Sequence, residues 1–130
     1  MKAETREWVR CAEEDFDAAL FLFRRRTKRP MANAVGFHCQ QSAEKYLKAR
    51  LEEAGMSIPK VHDLVLLLQR VLPVEPLWAS FAPMLRALND YAVKFRYPGN
   101  IATRVAARAA LKGCRSLRAE VRLSLGLPKK

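Results

Sequence analysis

The sequence predicts an all-α fold, an up-and-down bundle of about five helices that forms a single domain over residues 1–130. Apolar residues recur at the three- and four-residue spacing of an amphipathic helix along almost the whole chain. No segment shows the two-residue alternation that is typical of a half-buried strand. A chain of 130 residues, 50% of them hydrophobic, is long enough for one core, and no internal repeat or low-complexity linker indicates a second domain.

The ends of the helices are predicted from capping residues, glycine and proline. Thr5, with Glu7 nearby, predicts the start of the first helix. That helix ends within residues 24–30, because Pro30 disfavours helical geometry at the residue before it. Gly55 takes the position of a glycine just after a second helix, and prolines close the third and fourth helices. The four later helices are predicted over about 31–54, 61–72, 77–95 and 101–125.

Three polar residues are predicted to have structural roles. Asp15 lies on the apolar face of the first predicted helix, where an ionised carboxylate without a partner would be costly. We therefore expect a cation beside it, such as Lys45 or Arg96. His62 and Asp63 stand at the start of the third helix, where we predict packing for the histidine and capping of free N–H groups for the aspartate.

Composition excludes several classes of protein. No apolar run approaches the roughly 20 residues of a membrane span, and acidic residues follow the N-terminus where an export signal would be apolar. We expect a cytoplasmic protein with reduced thiols, because three widely spaced cysteines fit neither a disulfide framework nor a zinc knuckle. With two histidines and no Gly-rich phosphate loop, the sequence has no signature of a metal site or a bound cofactor.

The second predicted helix is apolar most of the way round, and one polar stripe remains on it. The stripe contains His38, Gln41, Lys45 and Lys48, whose spacings of three, four and three place them on one helical face. His38 is a candidate general base or nucleotide ligand, because imidazole titrates near neutrality. The alternative is a histidine that is hydrogen-bonded within the bundle.

The charge is strongly basic and unevenly distributed. The chain has 24 Lys and Arg against 13 Asp and Glu, a formal net charge of +11 and a pI near 10.1. Residues 66–130 contain 12 basic and 3 acidic side chains, so most of the excess lies in the second half. Such a balance favours nucleic acid, nucleotides or acidic proteins as partners.

The last predicted helix concentrates this charge on one face. Six cations at spacings of three and four residues fall within a sector of about 120°. They predict a continuous basic ridge formed by Arg104, Arg108, Lys112, Arg115, Arg118 and Arg122. The ridge either binds phosphates or is a solvated face. The cationic cluster at 24–29 either binds phosphate or terminates the first helix.

Three segments together resemble the prokaryotic HEPN (higher eukaryote and prokaryote nucleotide-binding) domain, in its RYP-type branch. They are FHCQQSAEKYLKARL at 37–51, IPKVHDLVLLL at 58–68 and LNDYAVKFRYPG at 88–99, and AEEDFDAAL at 12–20 is similar to the family's first helix. The resemblance implies a helical bundle that usually forms a homodimer with a cleft near the dimer axis. It also implies either a metal-independent ribonuclease or a partner of a small nucleotidyltransferase in a toxin–antitoxin-like pair.

The resemblance points to Arg96 as the position to compare with the family's nuclease motif. Family ribonucleases have a histidine four to six residues after the corresponding arginine, and none follows Arg96. A guanidinium next to the ring of Tyr97 is suited to phosphate and base contacts. The alternative is an arginine that caps carbonyl groups and a tyrosine that fills a dimer contact.

Our leading hypothesis is therefore a nucleotide- or RNA-binding HEPN module that acts as a homodimer with a nucleotidyltransferase partner and without a cofactor. Its binding residues are predicted to be Arg96, Tyr97, His38, Gln41 and Lys45. One alternative is a metal-independent endoribonuclease with a degenerate motif, in which Arg96 and either His38 or His62 are the catalytic candidates. Another is an adaptor that docks an acidic protein through the C-terminal basic helix.

Overall fold

The computed structural model describes residues 1–25 and 31–129. It contains five α-helices and two 3-10 segments, and the described ranges contain no strand, so the predicted all-α class is confirmed. The predicted cationic cluster at 24–29 lies outside the described residues from position 26 onward. The helices are α1 (Ala3–Arg24), α2 (Ala32–Glu53), α3 (Leu64–Val71), α4 (Ala82–Ala92) and α5 (Arg104–Ser124), with 3-10 segments at Pro76–Phe81 and Lys94–Arg96.

Helix α2 is the centre of the bundle and contacts each of the other four α-helices. It runs antiparallel to α1, because Thr5 pairs with Glu53 while the hydroxyl of Ser42 reaches back to the carbonyl of Ala12. Its buried residues lie on almost every side, as expected for a central helix. Most of the large, fully buried side chains around it are leucines, including Leu47, Leu51, Leu64, Leu67, Leu85, Leu88 and Leu117.

Helix α4 packs closely against α2 at a glycine. Gly36 lies directly under the ring of Tyr91, and a Cβ at this position would overlap that ring. The close approach fixes the end of α4, which carries Asn89 and leads into the segment that contains Arg96. Among the described residues, no helix is both long and apolar enough to cross a membrane.

The predicted bounds of the first two helices are correct to within about two residues, but their caps are only partly as predicted. Gly55 has a φ of 70°, and the N–H groups of Gly55 and Met56 donate to the carbonyls of Glu52 and Leu51, which closes α2 as predicted. Thr5 does not cap α1. Its hydroxyl donates to the carboxylate of Glu53 at 2.9 Å, and the helix begins at Ala3.

The starts of α3 and α5 are three residues later than predicted. The carboxylate of Asp63 accepts from the N–H groups of Val65 and Leu66, so α3 begins at Leu64. In α5 the hydroxyl of Thr103 accepts from the N–H of Ala106 at 3.0 Å and sets the start in the same way. In both helices the first residue is determined by a side-chain cap and not by the hydrophobic periodicity.

The predicted single helix over 77–95 is wrong. The structure places a 3-10 segment, Pro76–Phe81, before α4 and another, Lys94–Arg96, after it. Pro83 in the first turn of α4 has no N–H to continue the hydrogen bonding of the preceding segment. At the other end Val93 leaves helical geometry, with φ −121° and ψ −73°. Arg96 therefore stands on a tight turn after the helix and not on the helix itself.

Candidate functional site

A cleft of about 500 Å³ opens beside α2, between the start of α3 and the end of α4. Its residues come from three separate parts of the chain, so only the folded bundle brings them together. The lining includes a ring, an imidazole, a carboxylate, two amides and a guanidinium, from Phe37, Gln41, His62, Asp63, Asn89 and Arg96, with Ala92 and Val93 as its apolar wall. It is the candidate functional site.

A buried carboxylate supports the α2 side of the cleft. Glu44 is buried, and its Oε2 pairs with Nζ of Lys48 at 3.1 Å. Its Oε1 lies 3.0 Å from Nδ1 of His62 and accepts from Nε2 of Gln40 at 3.4 Å. Gln41 in turn donates to Oε1 of Gln40 at 2.7 Å. A buried charge is tolerated when it is paired and hydrogen-bonded, and this network meets that condition.

The contact with Glu44 orients His62. A carboxylate can only accept hydrogen bonds, so the proton of the neutral imidazole is on Nδ1 and the lone pair is on Nε2. The side chain of His62 is 77% exposed although its partner Glu44 is only 5% exposed. The imidazole is therefore held at one nitrogen while the other is open to a ligand in the cleft.

The N-terminus of α3 forms the neighbouring wall. Oδ1 of Asp63 accepts from the N–H of Val65 at 2.9 Å and from Nδ2 of Asn89 at 2.9 Å. The side-chain oxygen of Asn89 accepts from the N–H of Leu64 at 2.9 Å. The predicted capping role of Asp63 is thus present in the structure, and Asn89 ties the end of α4 to the same turn.

An asparagine of α2 positions the segment that carries Arg96. Nδ2 of Asn33 donates to the carbonyls of Phe95 at 3.2 Å and Asn100 at 2.9 Å, and its Oδ1 accepts from the N–H of Ala102 at 2.7 Å. Within the described residues the guanidinium of Arg96 makes no hydrogen bond or ion pair, and all its donors are available. The ring of Tyr97 is exposed and is not part of the cleft lining.

The remaining members of the predicted binding set lie in a second cluster, between α1 and α2. Asp15 pairs with Nζ of Lys45 at 2.5 Å and with Nδ1 of His38 at 2.8 Å. Of the two partners expected for Asp15, the structure uses Lys45, while Arg96 lines the cleft. His38 is therefore hydrogen-bonded within the bundle, which was the alternative to a role as base or ligand. The predicted set is therefore split, with Gln41 and Arg96 in the cleft and His38 and Lys45 beside it.

The prediction of a continuous basic ridge on α5 is wrong at its C-terminal end. Arg118 donates to both carboxylate oxygens of Glu13 at 2.6 Å, and Arg122 is buried with Nη1 3.5 Å from Oε1 of Glu13. The hydroxyl of Tyr46 also donates to Glu13. Helix α1 supplies the acid that α5 itself lacks, so these two cations belong to a partly buried ion-pair network.

This network shifts the pKa values of Glu13, Tyr46 and Arg118. Burial alone would raise the pKa of Glu13, but the hydrogen bonds from Arg118 and Tyr46 outweigh it, so the pKa lies below its ordinary value. Burial and the adjacent carboxylate raise the pKa of Tyr46. The hydrogen bonds to Glu13 raise the pKa of Arg118. Glu13 is thus a carboxylate held in its charged form.

The N-terminal part of the ridge is open to solvent. The exposed cations are Arg104, Arg108, Lys112 and Arg115, which we call the α5 basic surface. The guanidiniums of Arg104 and Arg108 lie 4.3 and 5.8 Å from the ring centre of Phe23, and that of Arg115 lies 6.0 Å from the ring of Phe16. Nη1 of Arg104 also donates to the carbonyl of Phe23 at 3.4 Å. An arginine that stacks on a ring can still direct its remaining in-plane donors at an anion.

Sequence reasoning missed Glu44 and Glu13, the two carboxylates that organise these clusters. A signal for Glu44 was present, because a charge on a helix that is apolar most of the way round must be buried and paired. No such signal exists for Glu13, whose partner is 105 residues away. In the part of the chain that the structure describes, no three His, Cys, Asp or Glu side chains form a group suited to a metal ion.

The fold and the cleft together define a class of protein: a bundle of helices around one central helix, with a polar cleft built from α2, the start of α3 and the turn after α4. The family model of the HEPN domain matches residues 5–124, so the chain belongs to the HEPN domain family. No curated protein and no solved structure gives a significant match.

Proposed function

We propose that this chain is a cytoplasmic nucleotide- or RNA-binding HEPN module whose ligand lies in the cleft beside α2. The observation that carries the proposal is the free guanidinium of Arg96 in the same cleft as the open polar atoms of Gln41 and His62. The cleft volume of about 500 Å³ is in the range of small-ligand sites. Membership of the HEPN family supports a role that involves nucleotides or RNA.

Each wall of the cleft has a chemical role in this proposal. Arg96 binds phosphate through the paired donors of its guanidinium. The ring of Phe37 stacks on the base, while Gln41 and His62 form hydrogen bonds to it. Tyr97, exposed next to Arg96, contacts a neighbouring base when the ligand is RNA rather than a mononucleotide.

His38 and Lys45 of α2, together with the α5 basic surface, extend this site for a longer ligand, whereas Lys48 of the predicted stripe is buried against Glu44. Lys45 and His38 lie between α1 and α2, partly exposed, and are held by Asp15, so their contribution to binding is smaller than that of Arg96. The α5 basic surface attracts phosphates without reading their sequence.

The proposal includes the assembly that the three sequence motifs imply, a homodimer that works with a small nucleotidyltransferase in a toxin–antitoxin-like pair. Light scattering on the purified protein tests the dimer. Co-purification with a nucleotidyltransferase encoded beside it tests the pair. A monomer that binds no such protein would contradict this part and leave the binding site itself intact.

Binding is tested by titration of a fluorescent 12-nucleotide RNA and of mononucleotides into wild type, Arg96→Ala and Arg6→Ala. Arg6 is an exposed arginine on α1 and does not line the cleft, so its loss removes the same charge without touching the site. We expect Arg96→Ala to weaken binding about tenfold or more, in line with the loss of a charge-assisted contact, and Arg6→Ala to bind as wild type. Equal losses in both variants would indicate a nonspecific charge effect and overturn the proposal.

A second candidate function, metal-independent RNA cleavage, is favoured by one specific observation. The motif histidine is missing after Arg96, but His62 lines the same cleft with Nε2 open and Nδ1 held by Glu44. In this mechanism Nε2 takes the proton of a ribose 2′-OH and the 2′ oxygen attacks phosphorus. The bond from phosphorus to the 5′ oxygen breaks, this oxygen takes a proton from water, and the imidazolium returns its proton to the solvent. Arg96 stabilises the pentavalent phosphate, and the products are a 2′,3′-cyclic phosphate and a 5′-OH.

Cleavage is tested with tRNA and mRNA in the presence of EDTA. We expect His62→Ala and Arg96→Ala to abolish it and His38→Ala to retain it, because His38 does not line the cleft. Cleavage that persists in both cleft variants comes from a contaminant and removes this candidate, while binding without cleavage leaves the binding function alone.

A further inference from the structure

We propose that the cleft selects guanine, binding guanine nucleotides or a guanine base in RNA in preference to adenine. This inference rests on the proposed function, because it names the ligand of the same site. Hydrogen bonds within the protein already use some polar atoms of the cleft and leave others open. Asp63, Gln41 and His62 each have an open acceptor in the cleft.

The first open acceptor is the second carboxylate oxygen of Asp63. All the hydrogen bonds that this side chain accepts reach Oδ1: those from the N–H groups of Val65 and Leu66 and from Nδ2 of Asn89. Oδ2 has no partner among the described residues, and Asp63 is exposed at the cleft. Capping therefore fixes the carboxylate by one oxygen and leaves the other for a ligand.

The second and third open acceptors are Oε1 of Gln41 and Nε2 of His62. The amide of Gln41 is turned by the hydrogen bond from its Nε2 to Oε1 of Gln40 at 2.7 Å, which leaves Oε1 open. The imidazole of His62 is turned by Glu44, which leaves the lone pair on Nε2 open. The hydrogen bonds to the buried Glu44 and Gln40 thus leave one acceptor open on each of these two side chains.

Gln41 and Asn89 each use one of their two amide N–H donors within the protein, so Asp63 is the side chain of the cleft lining that can only accept. Nδ2 of Asn89 donates to Asp63, and its oxygen accepts from the N–H of Leu64. Arg96 supplies the cationic donors of the cleft, whose lining also includes the apolar residues Ala92 and Val93. A phosphate is repelled by the carboxylate of Asp63 and attracted by Arg96, so the ligand binds with its base toward α3.

Guanine matches this distribution better than the other bases. Its Watson–Crick edge carries two adjacent donors, N1–H and the 2-amino group, both of which the open oxygen of Asp63 can accept. Adenine places the bare acceptor N1 beside its single amino group, so at the carboxylate of Asp63 two acceptors would face each other without a proton between them. A site built to hydrogen-bond a group discriminates strongly against a ligand that lacks it, because the protein's polar atoms are left unpaired.

The experiment compares the Kd values of GMP, IMP and AMP by calorimetry, on wild type and Asp63→Asn. IMP keeps N1–H and lacks the 2-amino group, so it separates the two donors. In Asp63→Asn the side-chain oxygen still caps α3 and still accepts from Asn89, because Asn is as good a cap as Asp. Only the open atom changes, from an acceptor to an amide donor. Circular dichroism melting checks that the variant is folded.

We expect wild type to bind GMP about tenfold or more tighter than AMP, with IMP between them, as for a paired contact to a base edge. We expect Asp63→Asn to lose most of that preference and to bind AMP at least as well as wild type. Equal Kd values for GMP and AMP, both raised by Arg96→Ala, would overturn guanine selection and leave the proposed binding function standing. A preference that survives in folded Asp63→Asn would also overturn it, and failure to bind any nucleotide or RNA would overturn the proposed function as well.

Discussion

The two histidines of this protein make the same contact in two different settings. His38 has Nδ1 2.8 Å from a carboxylate oxygen of Asp15, and His62 has Nδ1 3.0 Å from one of Glu44. The side chain of His38 is 31% exposed and lies against α1, whereas that of His62 is 77% exposed and lines the cleft. Their carboxylates differ in the opposite sense, since Glu44 is the more deeply buried.

The comparison indicates that a histidine suited to ligand binding combines a buried carboxylate partner with an exposed ring. Glu44 is held by Lys48 and Gln40 as well as by His62, so it is a rigid point from which the imidazole projects. Asp15 also forms an ion pair with Lys45, and His38 lies in the groove between α1 and α2. The contact is alike in both pairs, and the surroundings decide which ring meets a ligand.

The largest effect that separates the two pairs is on stability. Glu44→Ala leaves Lys48 as a buried cation without its partner, and we expect it to lower the free energy of unfolding by about 3–5 kcal/mol. Asp15→Ala frees Lys45 and His38, which water reaches, so we expect a loss of about 1 kcal/mol. Urea denaturation of both variants measures the difference.

The double variant Glu44→Ala/Lys48→Met is the control for this prediction. Removing both charges replaces the buried pair by apolar groups and recovers most of the loss if the unpaired ammonium is its cause. Equal destabilisation by Glu44→Ala and Asp15→Ala would show that the two carboxylates are equally anchored, and the contrast between the pairs would disappear.

Ligand affinity gives the second comparison. We expect His62→Ala to raise the Kd for RNA about tenfold, the value of one good hydrogen bond to a ligand. We expect His38→Ala to leave the Kd within a factor of two, about 0.4 kcal/mol, because its hydrogen bond lies outside the cleft. Fluorescence anisotropy with the same RNA measures both. A larger effect at His38 than at His62 would move the ligand to the α1–α2 groove.

The sequence predicts those parts of the fold that depend on neighbouring residues. Gly55 marks the end of α2, because its left-handed φ and the hydrogen bonds that follow are properties of a few consecutive residues. The fourth helix was predicted too long, because periodicity does not reveal that Pro83 and Val93 interrupt the hydrogen bonds.

The candidate site is less predictable, because it depends on which helices are neighbours. Periodicity places Gln41 on the solvent side of α2, and the RYP motif singles out Arg96, but neither places His62 between them. The prediction of a continuous basic ridge on α5 was wrong at its C-terminal end for the same reason. Six cations share one face of the helix, and only the position of α1 shows that Glu13 neutralises Arg118.

Helix α5 also has enclosed and open polar groups, at its C-terminal and N-terminal ends respectively. The stability contributed by the enclosed end depends on pH. The folded-state pKa of Glu13 lies below its ordinary value of 4.5, so the ionised carboxylate adds stability above that pH and loses the contribution as the pH falls through the folded pKa. We expect Glu13→Gln to be less stable than wild type at pH 7 and to lose less stability on acidification to about pH 3. A parallel decline in both proteins would contradict an ion pair at this position.

The α5 basic surface is open to solvent, and the smallest expected effects belong to it. Replacing Arg108 and Lys112 by Gln leaves the free energy of unfolding within about 0.5 kcal/mol, as for exposed residues in general. If each of the two cations contacts a phosphate, the slope of log K against log salt becomes less negative by about 1.4, from about −3 for four contacts on single-stranded RNA. Anisotropy titrations from about 50 to 300 mM salt measure the slope.

Arg118→Gln is the matched control on the same helix. Its side chain is occupied by Glu13, so we expect this variant to lose stability at pH 7 and to keep the salt slope of wild type. An unchanged slope in Arg108→Gln/Lys112→Gln would show that RNA does not contact this surface. Tight, salt-sensitive binding of an acidic peptide, lost in the same double variant, would then assign the surface to a protein partner, with the cleft still testable through Arg96 and His62.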